Sequence, residues 1–362
     1  MIPRVTATVN LAAIRHNLRQ VRRLSPGSRV MAAVKADGYG HGAVPISRAL
    51  DEAGVDCLAV ACMEEAQVLR DAYLRAPVAL LEGVLSPDEA ALAAYEGMHV
   101  VVHAFWQVEL LEAMPSSSNI AVWFKLDSGM HRLGFALDAV PRLRQVLARH
   151  PSWRFQGWMT HLARADEPDV PATPQQIAAF DEALAGVPGP RSIANSAGLI
   201  AWPDARRDWV RPGLALYGAS PLPGRSGADL GFQPALRLES RILAIRTYEA
   251  GDAIGYGASY VCPERMPIGV VAVGYADGLH RALPNGTPVV VRGRRVPLAG
   301  RVSMDMITVD LRAVPDAQVG DPVLIFGEGL PAEEIAERAG TIVYELFCGL
   351  TNRVRFRYLG GE

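Results

Sequence analysis

The chain has 362 residues, 50% hydrophobic and 20% charged, with 36 basic against 38 acidic side chains and a formal charge of −2. A near-neutral balance with scattered basic residues gives no footprint for nucleic acid or an anionic membrane, and no apolar run is long enough to span a bilayer. The length predicts one large domain plus a smaller one, with small polar ligands as the fitting partners.

The opening segment MIPRVTATVN has no charged leader before an apolar stretch, so a cytoplasmic protein is expected. Cys57, Cys62, Cys262 and Cys348 form no CxxC pair and have no histidine at metal spacing. Reduced, largely buried thiols and no metal site are therefore expected.

Up to about residue 215, short β-branched apolar runs alternate with amphipathic Ala- and Leu-rich stretches. Eight strands are predicted, at residues 29–35, 56–61, 77–82, 99–103, 119–127, 154–161, 191–195 and 209–214. Helices are predicted between them at 43–53, 63–73, 87–95, 105–114, 138–150 and 174–185, several opening on Ser, Asp or Pro. Eight alternating units suggest an α/β fold of the (β/α)8 TIM-barrel type, whose chemistry sits at the C-terminal strand ends. A doubly wound sheet is the alternative, but GxGxxG is absent from the first turn.

Beyond Gly224 the pattern changes to valine-rich strands at 269–275, 287–292, 306–311 and 322–326, separated by turns such as AGD, PNG and VGD, with one helix at 331–339. This predicts a mainly β C-terminal domain. The expected division is 1–225 and 226–362, with the Gly- and Pro-rich stretch 219–231 as linker.

The strand ends carry the candidate residues. Lys35 opens VKADGYGHG at the end of the first strand, where lost hydration favours a neutral amine and makes it a candidate nucleophile or Schiff-base former. Glycines 38, 40 and 42 around Tyr39 and His41 supply φ freedom and room for a ligand. For a lysine alone, snorkelling from a strand end would be the better reading; the glycine, tyrosine and histidine setting favours chemistry. KLDSGMHRLGF follows the fifth strand with Lys125, a buried cation in need of a partner, and Arg132, whose fork suits a carboxylate. Two surface cations on a loop are the competing reading. His161 ends the sixth strand, where a lone histidine is more often a hydrogen-bonded rim residue than a catalyst. Ser196 in IANSAG is either a plain helix start or, with the backbone amides there, an anion site of the kind barrels build after their last two strands. Arg211 lies beside Pro212 and Gly213 in VRPGLALYG. Tyr256 in AIGYGASY, Tyr275 in GYADGLHR, and Met304 with Asp305 in GRVSMDM would each, taken alone, read as structural.

Taken together and in this order, VKADGYGHG, KLDSGMHRLGF, NSAG, VRPGLALYG, GYGASY, VGYADG and GRVSMD resemble the alanine racemases, nearly end to end. The resemblance implies a fold type III pyridoxal 5′-phosphate enzyme that interconverts L- and D-alanine, an isomerase working as a homodimer with active sites shared between subunits. It implies that Lys35 forms the Schiff base with the cofactor, that Tyr39, Ser196, Tyr344 and the backbone near Gly213 and Leu214 hold the phosphate, and that Arg211 meets the pyridine nitrogen. Arg132 and the Met304 amide would orient the substrate carboxylate. Lys125 matches the family lysine that can be carbamylated. Lys35 and a Tyr256 from the partner subunit would be the two bases, serving the D- and L-isomers respectively, and His161 would help a tyrosine whose free pKa is about 10. The resemblance leaves open whether the alanine is made for peptidoglycan or degraded. The sequence departs from the family's frequent GYADGYPR at Leu279 and His280, which touches the substrate channel, and carries Asp37 and Gly38 where Asn and Ala are common, a change expected to be harmless. A pyridoxal-phosphate carrier would need no second base, and a fold type III decarboxylase would pair the pyridine nitrogen with a carboxylate rather than with Arg211.

Overall fold

The computed structural model describes residues 3–361, which form two compact units. One comprises Arg15–Leu216 and Ser220–Arg225; the other comprises 3–14, Tyr217–Ala219 and 226–361. The chain starts in the second of these. Strand β1 (Thr6–Asn10) alternates buried and half-buried positions, and Asn10 then caps the helix Leu11–Leu24, its side chain accepting from the Ala12 and Ala13 amides at 3.0 and 3.3 Å.

The first unit is a closed barrel of eight parallel strands, β2 (Arg29–Ala33), β3 (Cys57–Val60), β4 (Val78–Leu80), β5 (His99–Val102), β6 (Ala121–Lys125), β7 (Arg154–Met159), β8 (Arg191–Ser192) and β9 (Trp209–Val210), which returns to β2 through Arg29 opposite Trp209. All eight predicted strands and the barrel are therefore present, shorter than predicted because the last residues of each run leave the ladder and turn into the loops above it. The helices Ala43–Glu52, Met63–Asp71, Pro87–Tyr95, Phe105–Glu112, Val140–Arg149 and Ala172–Ala183 fall within a few residues of prediction. Pro87–Tyr95 shows why: Ser86 accepts from the Glu89 amide at 3.2 Å, and Pro87 occupies the first turn where no N–H is needed.

The barrel interior is filled by Met31, Cys57, Ala59, Ala79, Val101, Trp123, Met159 and Trp209. The small side chains on β3 and β4 leave space for two indoles meeting edge to face, 5.6 Å apart at 87°. Gly157 makes this possible, since a Cβ there would lie 2.4 Å from the Pro190 carbonyl and 2.7 Å from the Trp123 ring. Burial of the cysteines is partial: Cys57 and Cys262 are buried, Cys62 is half-buried and Cys348 is exposed.

The second unit is mainly β. Its strands are β10 (Leu236–Tyr248), β11 (Ala253–Ile254), β12 (Tyr260–Val261), β13 (Met266–Val271), β14 (Pro288–Val291), β15 (Arg294–Pro297), β16 (Ile307–Asp310), β17 (Pro322–Phe326) and β18 (Arg355–Leu359). The large sheet runs β15-β14-β17-β10-β1-β18. A register shift at Ile242/Ala244 lets the far half of β10 pair with β13, which pairs in turn with β16. Besides the predicted helix, observed at Ala332–Ala339, a second one forms at Val343–Cys348. It escapes prediction because six residues give too little periodicity.

Candidate active site

Lys35 begins a left-handed turn. Residues 36 to 40 have φ of 51°, 52°, 62°, 53° and 73°, so Ala36, Asp37 and Tyr39 adopt a conformation that L-residues with a Cβ resist by roughly 1–2 kcal/mol each. The expected freedom at Gly38, Gly40 and Gly42 is used in full, with φ positive at all three. Hydrogen bonds hold the turn together. Glu65 accepts from the Ala36 and Ala61 amides at 2.7 and 2.8 Å, Asp37 accepts from the Ala43 amide at 2.7 Å, and the buried His41 ring meets the Tyr39 carbonyl at 2.8 Å. Asp37 thus acts as a structural cap through a side-chain oxygen that the family's common Asn also carries. Burial holds His41 down at about 4, so its ring is neutral. The result is a half-buried Lys35 over the barrel mouth and a buried Tyr39.

After β6 the chain from Lys125 to Phe135 folds back on itself, with the Phe135 amide on the Lys125 carbonyl at 2.9 Å and the Asp127 amide on the Phe135 carbonyl at 2.8 Å. A Cβ on Gly134 would lie 2.6 Å from the Asp127 nitrogen, hence glycine at φ 140°. Asp127 Oδ1 accepts from the amides of Gly129, Met130 and His131, each at 3.0 Å, and so shapes the loop that carries the exposed Arg132. Burial raises the Asp127 carboxyl, but the His131 and Gly129 amides outweigh it and hold the group below its usual range.

Arg211, only 7% exposed, follows β9. Its fork donates to Ser192 Oγ at 2.6 Å, to the Ile193 carbonyl at 3.2 Å and to the Thr160 carbonyl, and it lies 3.4 Å from His161 Nδ1. Thr160 Oγ1 in turn meets Ser128 at 2.9 Å, and Gln176 bonds the His161 carbonyl at 3.2 Å and the Ala163 amide at 2.9 Å. Sequence reasoning missed Glu65, Gln176, Ser192 and Thr160, because bonds to backbone far along the chain leave no local pattern. Ser196 Oγ accepts from the amides of Gly213 and Ala215 at 2.9 and 3.2 Å, so its own proton is left for an outside acceptor. A Cβ on Gly213 would lie 2.3 Å from the Tyr39 hydroxyl. Tyr39, Ser196, Gly213 and the buried Leu214 therefore form one cradle, and its donors suit a phosphate monoester.

The barrel mouth is strongly electropositive. Burial, then Arg211, Arg132 and Lys35, bring the Lys125 ammonium from 10.5 down to about 8, with only Asp127 opposing. Burial and the same cations hold His161 well below 6.5, so its imidazole is neutral; burial lowers Arg211 to about 10, still charged at pH 7. Such a cluster is suited to a phosphate, a carboxylate, or both.

In the second unit Tyr256 sits on a short 3-10 turn, 73% exposed, and Met304 is 53% exposed. Two loops zip together beneath Met304: the Tyr275 amide donates to the Ser303 carbonyl and the Ala276 amide to the Met304 carbonyl, both at 3.0 Å. Gly274 permits this approach, since a Cβ there would lie 2.3 Å from the Met304 oxygen. The buried Asp277 anchors the assembly by accepting from the Gly274 amide at 3.0 Å and pairing with Arg353 at 3.3 Å, while Arg353 also reaches Asp305 at 2.7 Å. Tyr344 is half-buried on the helix Val343–Cys348.

Family models for the alanine racemase N-terminal and C-terminal domains match residues 9–221 and 235–358. An alanine racemase of Halorhodospira halophila is 47% identical over 98% of both chains, and a catabolic alanine racemase of Pseudomonas putida is 48% identical over 98% of both. The crystal structure of a biosynthetic alanine racemase from Pseudomonas aeruginosa superposes with a TM-score of 0.95 at 43% identity, covering 99% of this chain and 100% of that one. One from Bartonella henselae with covalently bound pyridoxal phosphate gives 0.89 at 29% identity, covering 99% and 100%. With a matching barrel, a matching β unit and this likeness along its whole length, the chain belongs to the alanine racemase family.

Proposed function

We propose that this protein interconverts L- and D-alanine as a pyridoxal-phosphate-dependent homodimer, with Lys35 and the partner subunit's Tyr256 as the two bases. The observation that carries the reading is the barrel mouth, where Lys35, Arg132, Lys125 and Arg211 converge around a cradle of hydroxyl and amide groups. Pyridoxal phosphate bound through Lys35 supplies the electron sink that acidifies the substrate Cα–H. Tyr39, Ser196 and the backbone at Gly213 and Leu214, joined by Tyr344, bind its phosphate. Arg211 would meet the pyridine nitrogen as a donor that keeps its own proton. Arg132 and the Met304 amide hold the substrate carboxylate.

Racemisation takes a proton from one face of Cα and returns one to the other. Lys35 Nζ works on the D face and the Tyr256 hydroxyl on the L face. His161 Nδ1 faces the Arg211 guanidinium, so the neutral ring carries its proton on Nε2 and offers an N–H that steadies a Tyr256 phenolate. Lys125, with its amine partly neutral near pH 8, adds carbon dioxide to give a carbamate and a released proton, and the new anion braces Arg132. The reaction is reversible and serves either D-alanine supply for peptidoglycan or alanine breakdown.

The test is chiral analysis of L-alanine incubated with protein and pyridoxal phosphate in deuterated water, with Tyr256→Phe alongside. α-Deuterated D-alanine formed by the wild type and not by the variant is expected; alanine that stays wholly L while cofactor binds refutes the assignment.

A further inference from the structure

Lys35, Lys125, Arg132, His161, Ser196 and Arg211 follow the C-terminal ends of the barrel strands, and the opposite end carries a second cationic cavity. It has a volume of about 490 Å³ and is lined by Arg70, Arg75, Glu96, His99 and Arg154, among others. His99 opens β5 and Arg154 opens β7, each paired with Ala121 at the start of β6, so both side chains belong to the N-terminal rim. The Arg70 head is fixed by its Nη1 donating to the Leu74 and Ala76 carbonyls, each at 3.2 Å. Its Nε is buried without a hydrogen-bond partner among the described residues, and Glu96, at 3.9 Å, is too distant to accept from it. His99 is 8% exposed, and its Nδ1 is likewise buried and unpartnered among the described residues. Arg75 and Arg154 are exposed side chains on the same cavity.

Buried polar groups normally find partners, and unpartnered ring and guanidinium nitrogens on two residues that line one cavity are an exception. Three guanidiniums against one carboxylate leave two positive charges, which match a dianion. The geometry points to a binding site for a small phosphate-class oxyanion at this N-terminal mouth, held by Arg70, Arg75 and Arg154 with the His99 ring. Guanidinium forks match phosphate oxygens in pairs, and Arg70 is already oriented by its backbone bonds. The ligand is either free phosphate or the phosphate of a small ester, since both present the same oxygens.

The experiment is calorimetric titration of the holoenzyme with inorganic phosphate in a phosphate-free buffer, cofactor occupying the phosphate cradle at the other end. Wild type should show a saturable site. Arg75→Ala/Arg154→Ala should weaken it about tenfold or more while retaining racemase activity, as expected for the loss of charge-assisted bonds. His99→Asn should weaken it less, and Glu96→Gln should tighten it. Glycerol 3-phosphate titrated in parallel separates the sources: tighter binding than phosphate identifies an ester, weaker binding identifies the free ion. No saturable binding to wild type, or a double variant that binds phosphate as wild type does, overturns the proposal.

Discussion

Lys125 is a buried cation among cations, and its removal should stabilise the folded barrel. In the unfolded chain the amine titrates near 10.5, and in the folded one at about 8. Between those values the unfolded state binds a proton that the folded state has lost, so stability rises with pH through the window. Below about 8 the full penalty is present, and at 1.36 kcal/mol per tenfold it amounts to about 3 kcal/mol. Lys125→Met keeps the length of the side chain and removes the charge. At pH 7, in buffer stripped of carbon dioxide and without cofactor, urea denaturation should show the variant about 3 kcal/mol more stable. For a barrel unit of this size that equals a rise of about 7 °C in Tm. The gap should close towards pH 10.5. Bicarbonate should stabilise the wild type alone, because only Lys125 can become an anion beside Arg132. A variant no more stable at pH 7, or a gap of equal size at pH 7 and pH 10, would refute the electrostatic account.

Gly213→Ala places a methyl 2.3 Å from the Tyr39 hydroxyl, and since Tyr39 rides on a turn pinned from several sides, cofactor affinity should fall roughly tenfold or more, read by equilibrium dialysis with absorbance detection. Glu65→Ala strips two amides of a carboxylate acceptor and should lower stability by about 2–3 kcal/mol, with Glu65→Gln intermediate, measured by urea unfolding. Gly274→Ala forces the Met304 loop away from its partner; kcat/KM for alanine should drop by about 10² through KM first, while the cofactor absorbance of the protein stays unchanged. Trp123→Ala empties the barrel centre and should cost about 3–5 kcal/mol in thermal or chemical unfolding.

The barrel was legible in the sequence because its strands are buried on both faces, so runs such as CLAV and AVWFK read as continuous apolar blocks between helix starts marked by Ser86 or Pro87. β1 was not, because TATVN gains its place only from β10 and β18, more than 200 residues away. At the barrel mouth the sequence indicated Lys35, Lys125, Arg132, His161, Ser196 and Arg211, since a charged or polar residue ending an apolar strand stands out, and the structure brings these six onto one rim. The groups that orient them were hidden. Ser192, Thr160 and Gln176 act through bonds to residues 15 to 51 positions away. Asp277 was not singled out in the sequence, and it is the buried anchor of the Met304 loop.

The turn behind Lys35 has the handedness that the mirror-image amino acid prefers. At Ala36 the backbone, at φ 51° and ψ 54°, sits where D-alanine is relaxed and L-alanine is strained. Chemical ligation that installs D-alanine at this one position should leave the turn intact and make it more secure. The same geometry acts as a filter on what evolution can place there: valine, isoleucine and threonine, branched at Cβ, are shut out of positions 36, 37 and 39, and glycine is the open alternative. The scaffold that presents Lys35 is thus itself selective for configuration at an alanine.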